Sequence, residues 1–194
     1  MSKGRLEAFS DGVIAIIITI MVLEMKAPHG AALSALRPLV PVFLSYVLSF
    51  VFVGIYWNNH HHLCLVVRHV SGGVLWANLH LLFWLSLIPF VTSWMGENHA
   101  APLPVAVYGV VLLAAGTAYY MLVRALLARH EKGSDLARAI GNDFKGRISL
   151  AIYAAGILLA FANSWIAIAL YVSVAVIWLI PDRRIERTLA ERAS

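Results

Sequence analysis

Charge is scarce in this chain of 194 residues: 13% of them are charged, 61% are hydrophobic, and the mean hydropathy is +0.80. A water-soluble domain of this length needs far more charge over its surface, so that class is excluded and an integral membrane protein remains. Cysteine is nearly absent. Cys64 stands alone, which excludes an intrachain disulfide and leaves the redox compartment unspecified. There is no Gly-x-Ser-x-Gly elbow, no glycine-rich phosphate loop and no pair of carboxylates placed for acid–base work, so neither an enzyme nor a cofactor is expected. No stretch of the chain repeats another. The formal charge of +5 is not gathered into a basic patch, so nucleic acid is not expected as a partner.

What the chain has is apolar runs. They fall at about 5–26, 38–67, 70–95, 103–129, 146–163 and 165–180, each near the roughly twenty residues that a bilayer core requires. The punctuation between them is polar or rich in glycine and proline: "KAPHG", "RHVSGG", "GENHAAPLP", the stretch from Arg129 to Arg147, and "ANS". Asn163 and Ser164 leave the last two runs almost no connection, which predicts a tight antiparallel hairpin. Lys3 and Arg5 before the first run resemble a signal peptide. Glu7 and Asp11 interrupt that pattern, and a retained first span is expected. The expected fold is therefore all-α, with six transmembrane helices over residues 1–181 and a short cytoplasmic tail over 182–194. Distributing Lys and Arg on alternate sides of six spans puts thirteen on the side of the termini and only Lys26 and Arg37 opposite. Basic residues favour the cytoplasmic side, so both termini are expected in the cytoplasm of a plasma-membrane protein.

The first run, "FSDGVIAIIITIMVLEM" from Phe9 to Met25, contains a carboxylate where one is costly. A helix starting after Asp11 would span only about 18 Å at about 1.5 Å per residue, so the helix must start near Arg5 and carry Ser10 and Asp11 inside it. From Asp11, one face continues through Gly12, Ile16, Thr19 with Ile20, and Leu23, an apolar stripe with a single hydroxyl. Arg5 lies too far around the helix to neutralise Asp11, so partners are sought on neighbouring helices. The second run offers Trp57, Asn58, Asn59, His60, His61 and His62, and the third Trp76, Asn78, His80 and Trp84. Successive histidines point about 100° apart and no His-x-x-x-His pair exists, so no metal site is expected. Asn58, His61, His62, Asn78 and His80 are the candidates for bracing Ser10 and Asp11. Glu24 and Glu97 lie near the outer ends of their spans as surface residues, and Glu24 is also a candidate for a cation-concentrating ring at a pore mouth.

The segment "RLEAFSD" resembles the Arg-x-x-x-Phe-Ser-Asp signature of the lysosomal potassium channel family of the transmembrane protein 175 type, in particular its single-repeat bacterial members. The resemblance continues in "YWNNHHHL" and "NLHLLFWLSLIPFVTSW" and covers roughly the first half of the chain. It implies a potassium-permeable cation channel, a homotetramer of six-span subunits with the pore lined by the first helix. It implies an apolar constriction at Ile16 with Ile20 and Leu23 as further layers, and a hydroxyl ring at Thr19 that aids potassium preference. Arg5, Phe9, Ser10 and Asp11 would form the motif that braces the first helix. A Thr-Val-Gly-Tyr-Gly carbonyl filter is absent. A proton-coupled transporter using Asp11 and a histidine is the alternative; the missing inverted repeat and the lack of helices broken by glycine or proline count against it.

Overall fold

The computed structural model describes residues 2–66, 70–128 and 144–179. Arg68, most of the polar stretch from Arg129 to Arg147, and the tail 182–194 lie outside the described residues. The helices are α1 (Lys3–Leu23), α2 (Val40–Val66), α3 (Gly72–Ser86), α4 (Ile88–Glu97), α5 (Pro102–Leu127), α6 (Phe144–Leu159) and α7 (Ser164–Leu179). A 3₁₀ segment, Leu33–Leu39, leads into α2. Among the described residues there is no strand, and the fold is all-α with six spans once α3 and α4 are taken as one bent unit.

That bend departs from the single run expected at 70–95. Pro89 is its cause: a proline inside a helix removes one hydrogen bond and its ring crowds the carbonyl four residues earlier, here that of Leu85. The helix stops at Ser86 and restarts at Ile88 with Pro89 in its first turn, where a missing N–H costs nothing. The last two spans are described over Phe144–Leu159 and Ser164–Leu179, close to the runs expected at 146–163 and 165–180. Among the described residues, Lys3–Leu23, Leu33–Leu65, Gly72–Glu97 and Pro102–Leu127 are the stretches long and apolar enough to cross a bilayer. The hairpin between α6 and α7 turns at 160–163, where the Asn163 side chain accepts from the backbone N–H of Trp165 at 2.9 Å and caps α7.

Helix α5 is the central post. It packs against α3, α4, α6 and α7 and touches α2 through the Ser49–Tyr108 hydrogen bond; α2 closes on α4 and α7, and α1 lies against α2, α3 and α4. The α5–α6–α7 contact is set by Tyr171, which is fully buried against Gly109 of α5 and Gly156 of α6. A Cβ at Gly109 would overlap the Tyr171 hydroxyl, and one at Gly156 would stand 2.5 Å from its ring, so glycine is required at both for the helices to approach.

Candidate site on the first helix

Helix α1 has two faces. Leu6, Ser10, Ile14, Ile17 and Met21, three or four residues apart, are buried against α2, α3 and α4. Gly12, Ile16, Thr19, Ile20 and Leu23 are uncovered by the rest of the subunit, with Ile16 57% and Leu23 77% exposed. The Thr19 hydroxyl donates to the Ile16 carbonyl at 2.8 Å, so its proton is committed to the backbone while the oxygen lone pairs remain on the open stripe. Beside the C-terminal half of this stripe, a groove of about 670 Å³ runs between α1 and α3–α4, with Glu24, Lys26 and Glu97 at its rim.

The buried face is fixed by a chain of hydrogen bonds across three helices. Ser10 Oγ donates to the Leu6 carbonyl at 2.8 Å and accepts from Asn78 Nδ2 of α3 at 2.9 Å. Asn78 Oδ1, an acceptor only, takes the proton of His60 Nε2 of α2 at 2.8 Å. That assigns His60 the neutral tautomer with the proton on Nε2 and leaves Nδ1 as an acceptor for the Cys64 thiol 3.7 Å away. Every bond points the same way, from α2 through α3 to the α1 backbone. Ser10, Asn78 and His60 are all at most 2% exposed, so each polar group depends on the next one for satisfaction.

Asp11 lies about 100° further round α1 and takes a different partner, the indole N–H of Trp57 at 3.0 Å. The Trp57 ring stacks on His61, centroids 6.1 Å apart, and His61 Nδ1 lies 3.6 Å from Glu7 Oε1. Two carboxylates one turn apart on α1 are thus met by two adjacent turns of α2. Of the residues expected to brace the motif, Asn78 reaches Ser10 and His61 reaches Glu7. Asn58 is exposed, His80 accepts from the indole of Trp84 at 2.9 Å, and His62 Nδ1 is buried without a partner. Arg5 and Phe9 are exposed, and among the described residues the Arg5 side chain has no partner. Sequence reasoning did not select His60 or Trp57. The signal for His60 was available: α2 buries Ser49, Phe52, Val53, Tyr56, His60, Leu63 and Cys64 at helical spacing, and of the three histidines only His60 continues that stripe.

The arrangement is a brace rather than a reaction centre. Among the described residues no three His, Cys, Asp or Glu side chains are grouped to hold a metal ion. What the geometry can do is hold a pore-length helix at a fixed rotation while one apolar stripe stays open.

The family model described as "Endosomal/lysosomal potassium channel TMEM175" matches residues 5–89, the stretch that contains the brace. The chain is similar to a potassium channel of Chryseobacterium sp. (strain P1-3), 54% identical over 191 residues, 98% of this chain and 100% of that protein. It is also similar to the endosomal/lysosomal proton channel TMEM175 of Bos taurus, 30% identical over 84% of this chain and 38% of the bovine protein. Among solved structures it resembles the crystal structure of a lysosomal potassium-selective channel TMEM175 homolog from Chamaesiphon minutus. That match has a TM-score of 0.80 and 29% identity, and covers 92% of this chain and 96% of that one.

Proposed function

Because the chain belongs to the TMEM175 family of membrane ion channels, we propose that it is a homotetrameric, potassium-permeable channel whose four α1 helices surround the conduction path. The supporting observation is the open stripe on α1, which the rest of the subunit leaves uncovered although the opposite face of the same helix is sealed. Four such stripes facing one axis bring Ile16, Ile20 and Leu23 together in rings too narrow and apolar to stay wet, and an ion there meets a dehydration barrier. The barrier is the gate. Thr19, one turn from Ile16, supplies four hydroxyl oxygens whose lone pairs face the path and partly replace the hydration shell of a cation. Hydroxyl oxygens carry a weaker dipole than a cage of carbonyls, so discrimination among cations is modest. The partition of Lys and Arg supports a plasma-membrane protein with both termini on the cytoplasmic side.

The transporter reading needs Asp11 and a histidine to exchange a proton. Asp11 is instead bonded to an indole, which does not titrate, so this reading is not favoured. Proton permeation has a more specific support in the bovine relative, an endosomal/lysosomal proton channel. Purified protein in liposomes separates the readings. With potassium as the only alkali cation, a passive current that reverses at the potassium equilibrium potential is expected, and with sodium added Thr19→Ala is expected to lower the potassium-to-sodium permeability ratio. Obligatory proton coupling, or a current that reverses at the proton equilibrium potential, would overturn the assignment.

A further inference from the structure

The inner half of the subunit, on the side of α2 facing away from α1, contains a cavity of about 50 Å³ between α2, α5, α6 and α7. Its walls are largely aromatic and apolar, with a few polar groups set among them. Tyr56 is 8% exposed and Tyr153 3%, and among the described residues neither hydroxyl has a hydrogen-bond partner. Neither is sealed off: among the described residues His62 Nδ1 is the one buried side-chain atom that is both closed in and unpartnered. Asn59, also on the wall, donates its amide N–H to the Ile55 carbonyl at 2.8 Å, and among the described residues its Oδ1 has no partner. Ser149 adds a hydroxyl that already accepts from the Trp178 indole at 2.9 Å and donates to the Lys145 carbonyl at 2.7 Å.

We propose that this cavity is a water-binding site holding a small ordered cluster. Its volume of about 50 Å³ exceeds the about 10–15 Å³ that a first water needs, and Tyr56, Tyr153 and Asn59 provide the two to four polar partners that a buried water requires. An acyl chain in the same space would strand both tyrosine hydroxyls. The neighbouring tyrosines provide the contrast. Tyr108 Oη bonds Ser49 Oγ at 2.9 Å, Tyr171 Oη bonds the Val105 carbonyl at 3.4 Å, and neither lines the cavity. Helix α2 therefore carries a dry hydrogen-bonded brace toward α1 through His60 and a wet contact toward α5 and α6 through Tyr56 and Asn59. The wet side adapts to small displacements of α2 without opening a void.

Radiolytic hydroxyl-radical labelling of the intact protein in lipid nanodiscs, read residue by residue by mass spectrometry, tests this. Radicals form from water at the site, so Tyr56 and Tyr153 are expected to label several-fold faster than Tyr108 and Tyr171, although all four are buried. Leu150→Phe, which grows a wall residue into the space beside Gly116, is expected to bring both down to the control rate. Equal, low labelling of all four tyrosines in the unmodified protein would overturn the proposal, whether or not the variant folds. Undiminished labelling in a folded Leu150→Phe protein would overturn it as well.

Discussion

Ser10 shows how one hydroxyl can set the rotation of a whole helix. Its proton satisfies the Leu6 carbonyl within α1, as serine hydroxyls inside helices commonly do, and its lone pair takes the Asn78 amide. Ser10→Ala leaves a fully buried N–H without an acceptor, and a stranded buried donor costs about 1–3 kcal/mol. We expect a lower unfolding temperature in detergent. Ser10→Thr, which keeps the oxygen, is expected to retain most of the stability; equal losses for both variants would show that packing and not the hydrogen bond matters here. Ile16 sits on the other face of the same helix and makes the opposite prediction. Ile16→Asn exposes no buried partner and removes no brace, so folding is expected to be unchanged while single-channel conductance rises as water enters the constriction. Unchanged conductance would remove Ile16 from the path.

At the scale of elements, apolar runs and their polar punctuation were enough to find the helices, because a bilayer forces every span to be long, apolar and internally hydrogen-bonded. What was not legible depends on direction. Three consecutive histidines point three ways, and which of them faces α3 is decided by how α2 is rotated against α4 and α7, a tertiary fact. Trp57 gave no sequence signal beyond adjacency, since an indole N–H finds a carboxylate only after two helices have docked. Pro89 was visible, yet the bend it causes was not expected, because prolines within spans often leave the helix continuous when neighbours satisfy the freed carbonyls. The Gly109–Tyr171–Gly156 contact was equally hidden, since it joins three helices through residues 47 and 15 positions apart. It makes a clear prediction. Gly109→Ala overpacks a site where Tyr171 has no free space, and about 1–3 kcal/mol of destabilisation is expected in thermal unfolding. Combining it with Tyr171→Leu is expected to recover part of the loss, because the two changes share one volume and cannot add independently.

For the whole molecule, the open question is what covers the α1 stripe, because lipid and a second copy of the chain are equally apolar. The two occupants differ in proximity. If four α1 helices surround an axis, Leu23 of one copy lies close to Leu23 of the next, whereas Leu158, equally exposed at 76%, is on α6, a helix that packs chiefly against α5 and α7. The native Cys64 is buried and does not compete for reagent. Leu23→Cys treated in the membrane with a short bifunctional thiol reagent is therefore expected to give covalent dimers and higher species on denaturing gels, and Leu158→Cys to stay monomeric. Lipid on the stripe would leave both variants monomeric. That outcome would leave the brace around Ser10 intact while removing the pore from α1, since the brace depends on contacts within one subunit and the pore depends on contacts between copies.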